Sequence, residues 1–121
     1  MRPQLLTLLL ASCFAVPAAH SLNAQTASVD TRLATQNALF EELYQADLKN
    51  APERATAYGD YRYNDQLSDR SLAAIDRRHT ADVASLARLK AISTTGFPEQ
   101  DILSHELLAR VLQQRLDDYD F

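Results

Sequence analysis

The sequence predicts an all-α fold: an antiparallel helical hairpin with one further helix before it. Three observations predict it. Apolar residues recur at three- and four-residue spacing through three long segments. Residues that start helices, Asp30, Pro52, Ser71 and Pro98, stand at the head of each segment. The chain's only two glycines, Gly59 and Gly96, fall between segments rather than inside them.

The first helix is expected from Thr31 to Lys49, with Asp30 accepting its unpaired first amides. Leu33, Phe40, Tyr44 and Leu48 form its apolar stripe, widened by Leu39 and Leu43. Asn50 and Pro52 end it, and Pro52 opens a short turn to Tyr58 that Gly59 closes with a positive φ. Ser71 caps the next helix, Leu72 to Ile92, whose expected buried face is Leu72, Ile75, Val83, Leu86 and Leu89. After the connector Ser93–Gly96, Pro98 starts a third long helix along Leu108, Leu112, Leu116 and Tyr119, flanked by Leu103, Leu107 and Val111. So short a connector makes the last two helices antiparallel neighbours.

Residues 1–24 stand apart. Arg2, an apolar run from Leu5 to Val16 and the small residues after it have the pattern of a secretory signal peptide. A membrane span needs about 20 apolar residues, and this run is shorter and broken by Thr7, Ser12 and Pro17. Cleavage after Ala24 is preferred to cleavage after Ser21, because polar residues 25–28 then begin the mature chain. Leu10-Ala11-Ser12-Cys13 also resembles a lipobox, which leaves lipidation at Cys13 as the alternative to release into the periplasm or medium.

Cleavage after Ala24 removes the single cysteine, and with it any disulfide or thiolate metal site. It also removes Arg2, so the formal charge of −4 becomes more negative still. Such a balance argues against nucleic acid or an anionic membrane as partner, since both need cations to neutralise phosphate.

The segments that could carry chemistry are few. His105-Glu106 begins a zincin helix motif, but Ala109 stands where the second histidine ligand would be. His79 and His105 could face each other across the hairpin, displaced by ~7.5 Å along its axis, with no third ligand evident. No serine has a nucleophile-elbow context, and two glycines cannot build a phosphate loop. Asp117, Asp118 and Asp120 have the look of a solvated acidic face. No catalytic, cofactor-binding or metal-ligating residue is assigned.

The stretch from Ala57 to Ser71 contains three tyrosines and three aspartates. A calcium loop is excluded because Arg62 would occupy the third ligand position from Asp60, and Asp65 the place of the obligatory glycine. What remains is a structural corner, with aspartates accepting backbone amides and Tyr61 and Tyr63 lying against neighbouring helices.

Pro52, Ala55, Thr56, then Gly59-Asp60-Tyr61-Arg62-Tyr63-Asn64-Asp65, Leu67 and Ser68, followed by Leu86-Ala87-Arg88-Leu89-Lys90-Ala91-Ile92, form a longer pattern. It resembles the N-terminal region of the bacterial family called domain of unknown function eight-eight-five. Leu39 to Glu42 and Asp101 to Leu108 also fit, so the resemblance covers Ala38 to Phe121. It implies an exported, mostly helical protein similar to zincin-type metallopeptidases, with a His-Glu-x-x-His helix in its C-terminal half.

None of the implied metal residues falls in the matched region. Pro52, Thr56, Gly59, Asp60, Tyr61, Arg62, Tyr63 and Asp65 are expected to be a structural loop motif. Zinc is expected only in a full-length relative, with peptide as its substrate. Residues 25–121 are then expected to be the N-terminal helical segment of a larger fold, partnered by a catalytic portion beyond Phe121. The absence of any stop signal in Asp117-Asp118-Tyr119-Asp120-Phe121 adds to that expectation. The alternative is a small stand-alone periplasmic binding or adapter protein.

Overall fold

The computed structural model describes residues 27–119. Among them the chain forms helices α1 (Val29–Asn50), α2 (Pro52–Ala57), α3 (Leu72–Lys90) and α4 (Glu99–Tyr119), a single 3₁₀ turn Tyr61–Tyr63, and no strand. The all-α class is therefore as expected, and α3 with α4 makes the hairpin. The signal peptide, its cleavage after Ala24, Cys13 and Phe121 lie outside the described residues. No helix among them is long and apolar enough to cross a membrane.

Helices α1 and α3 begin where a serine side chain accepts a first-turn amide. The cap of α1 is Ser28 rather than Asp30: Ser28 Oγ accepts from Thr31 N at 3.1 Å, and the helix starts two residues sooner than expected. Asp30 then lies in the first turn, where its carboxylate faces the positive end of the helix dipole. At α3, Ser71 Oγ accepts from Ala74 N at 3.2 Å. Its last turn carries Arg88 and Lys90, the favourable sign for a C-terminus.

The core is the seam where α1 crosses the hairpin. Leu39, Leu86, Leu89 and Leu112 are its buried centre, with Phe40, Leu43, Ile92, Leu108, Ala109 and Leu116 packed around it. Fully burying such side chains stabilises by about 1.5–3 kcal/mol each, before conformational entropy opposes it. The buried faces are narrower than the apolar stripes in the sequence. On α3 the covered residues are Ala74, Ser85, Leu86 and Leu89, whereas Leu72, Ile75 and Val83 stay exposed. On α4 only Leu112 is fully buried, and Leu103, Leu107 and Val111 face outward. Three helices share one seam, so each covers one side of its neighbour and no more.

A buried polar residue occupies the same seam. Gln36 is 0 % exposed, and its Nε2 donates to the carbonyl of Asp101 at 3.1 Å, joining α1 to the first turn of α4. Arg32, one turn earlier, donates to the carbonyls of Ser93 and Thr95 in the α3–α4 connector and lies over the ring of Phe97. In that connector Gly96 has φ +81°, and a Cβ there would stand 3.1 Å from Val29 Cγ2. Glycine is required by conformation and by space.

Candidate functional site

The loop that the sequence singles out closes helix α2. Pro52 is buried at its N-terminus, and Thr56 Oγ1 donates back to the Pro52 carbonyl at 3.1 Å. Gly59, at φ +85°, donates to Thr56 O, while Asp60 N donates to Ala55 O at 2.9 Å. Those two bonds make a Schellman cap, which satisfies carbonyls that the helix end would leave unpaired.

Asp60 then turns the chain a second time. Its Oδ1 accepts from Arg62 N at 3.1 Å, and both its oxygens accept from the Arg62 guanidinium, with Nη2 at 2.6 Å from Oδ2. The guanidinium also donates to Gln45 Oε1 on α1 at 2.8 Å and lies over the ring of Tyr63. These bonds hold the Asp60 carboxyl below its ordinary range and raise Arg62.

Farther along, Ser68 donates to the Glu53 carboxylate through both its hydroxyl and its amide, pushing Glu53 down to about 2. Asp69 accepts from Ser71 N at 2.9 Å, a second Asx turn, which leads into α3. Two members of the motif differ from expectation: Tyr61 is 65 % exposed rather than laid on a helix, and Asp65 is exposed. The 3₁₀ turn, with Arg62 bonded back to α1, points them outward. The Ala57–Ser71 segment is held by hydrogen bonds within itself, to Gln45 of α1 and to Glu53 of α2.

A polar cleft of about 530 Å³ lies beside this corner, between the C-terminal ends of α1 and α4 and the first half of α3. At its base Arg115 of α4 forms a two-pronged ion pair with Asp47 of α1, at 2.6 and 3.1 Å, and stands 3.5 Å from Asp82 of α3. One guanidinium thus joins all three long helices. Burial pushes the Asp82 carboxyl up, against the pull of Arg115. His79 stacks on Tyr119 with ring centroids 3.8 Å apart, and the Tyr119 hydroxyl donates to Asp76 at 2.8 Å. Nothing in the sequence marks this cluster, because Asp47, Asp82 and Arg115 share no motif and meet only through packing.

The histidines are far apart. His79 stacks on Tyr119, in the last turn of α4. His105 lies fourteen residues before Tyr119 on α4, so the two histidines are separated by about 20 Å rather than ~7.5 Å. His105 Nε2 donates to the Leu89 carbonyl at 2.9 Å, supplying a partner for the end of α3. Among the described residues no three His, Cys, Asp or Glu side chains are grouped so as to hold a metal ion.

No family model, curated protein or solved structure matches this chain.

Another concave surface is apolar. Between α1 and α4 a groove of about 460 Å³ is lined by Phe40, Leu43, Tyr44, Leu107, Leu108 and Val111. It offers a hydrophobic contact surface, and the polar cleft offers a charged one in which Arg115 engages Asp47 and Asp82. Neither presents a nucleophile hydrogen-bonded to a general base.

Proposed function

We propose that this chain is a helical scaffold of an exported, zinc-peptidase-like protein, inert alone, whose chemistry is supplied by residues outside this sequence. The observation that carries the reading is the mismatch between core and surface. Among the described residues eight apolar side chains are buried, while Leu67, Leu72, Ile75, Val83 and Tyr44 remain exposed on several sides. Scattered exposed apolar residues are ordinary, but runs of them along helix faces are typical of surfaces that further structure covers. The loop motif supports the same reading. Its bonds run to its own backbone, to α1 and to α2, which suits a corner that aims helices at a neighbouring wall.

The chain, purified free of zinc, is expected to take up no zinc and to cleave no peptide; detection of either overturns the proposal. Sequencing the DNA beyond the Phe121 codon gives a second test, with an open frame encoding His-Glu-x-x-His expected.

A second reading, a small stand-alone periplasmic helical binding or adapter protein, is favoured by one observation. Arg115 and Arg32 tie α1 to the hairpin at both ends of the bundle, as a self-supporting domain requires. Cooperative two-state unfolding of a monodisperse chain would support it over the scaffold reading.

A further inference from the structure

The exposed face of α4 has a charge pattern that complements itself. Leu103, Leu107 and Val111 follow one another at four-residue steps, between 44 % and 52 % exposed, so they form one stripe drifting slowly around the helix. Ser104, Leu107, Leu108 and Val111 border the groove against α1. Glu106 and Arg110 therefore edge the stripe on the side away from α1. Both are exposed, and neither has an ion pair or side-chain hydrogen bond within the described residues.

We propose that a second copy of this chain docks on this face, its α4 antiparallel to the first about a two-fold axis near Leu107. The symmetry argument is direct. A two-fold axis perpendicular to two antiparallel helices brings like flanks together with their directions reversed. Leu107 then meets Leu107 of the second copy, and Leu103 meets its Val111. On the flank, Glu106 reaches Arg110 of the second copy, and Arg110 reaches its Glu106. A parallel pairing sets this flank against the groove side instead, and the two charges find no partner. The groove walls, Phe40 and Tyr44, border the seam on the other flank. So narrow a seam makes a weak, reversible dimer, not an obligate one.

This goes beyond the scaffold reading and does not rest on it, since neither zinc nor peptide enters the measurement. Sedimentation of the purified chain over about a hundredfold range of concentration is expected to show a monomer–dimer equilibrium. Glu106→Arg and Arg110→Glu should each weaken association about tenfold, and the double variant E106R/R110E should restore it, as reciprocal pairs do. Leu107→Asp should abolish association while leaving helical circular dichroism unchanged, because Leu107 is half exposed in the monomer. A monomer at every concentration overturns the proposal. So does a double variant that associates no better than the singles, or a different protein co-purifying on this face and lost on Leu107→Asp.

Discussion

Arg115 of α4 grips Asp47 of α1 with both terminal guanidinium nitrogens, at 2.6 and 3.1 Å, and also reaches Asp82 on α3. The Asp47–Arg115 pair is about one-third exposed, between a surface ion pair worth little and a buried one costly to break. Arg115→Met leaves two carboxylates facing each other without a cation. After discounting for solvent screening, a loss of about 1–3 kcal/mol is expected, measured as a lower urea midpoint with unchanged slope.

The two acids beside Arg115 should respond differently to substitution. Asp82 has its pKa raised by burial, so its folded-state advantage is full below its unfolded value and declines as pH rises through the folded one. Asp82→Asn removes that decline. The variant is expected to match or exceed the parent in stability at pH 7 and to lose the excess near pH 3, in parallel denaturation curves.

Glu53 has the opposite sign. Ser68 lowers it from 4.5 to about 2, and Asp60, Asp69 and Glu42 are lowered as well. Stability from such groups is present above the unfolded value and is lost as pH falls through the folded one. Acid unfolding should therefore steepen between about pH 4.5 and 2. Glu53→Gln should flatten that limb in a pH series followed by circular dichroism; an unchanged limb would show that the bond to Ser68 does not persist in solution.

The two glycines separate conformational from steric cost. Gly59→Ala meets open space, so only the left-handed backbone opposes it, about 1 kcal/mol. Gly96→Ala bears the same backbone cost and also crowds Val29. It should destabilise by about 2 kcal/mol or more, and thermal denaturation of the pair should rank them in that order.

Leu112 and Leu103 were equally apolar in the sequence, yet only Leu112 is buried. Leu112→Ala should cost about 2–5 kcal/mol and Leu103→Ala less than about 0.5 kcal/mol in the monomer. Denaturant midpoints read the contrast directly.

These pairs show where the sequence was informative. Element type, the Ser71 cap, the proline starts and the positive φ of Gly59 were legible, because each depends on a residue and its near neighbours. The N-terminus of α1 was misplaced by two residues because Ser28 and Asp30 are both competent acceptors, and only the backbone direction chose between them. The stripe of Leu72, Ile75 and Val83 was correctly apolar and wrongly assigned to the core, since periodicity tells which residues share a face and not what lies opposite.

The sequence by itself determined that this chain is helical and where its helices break. Only the tertiary structure decided which apolar residues are covered, that His79 and His105 lie far apart, and that Arg115 joins Asp47 to Asp82. The reason is physical: hydrogen bonds along a helix connect residues within one turn, whereas burial and ion pairing between helices depend on rotations and offsets that no local spacing encodes.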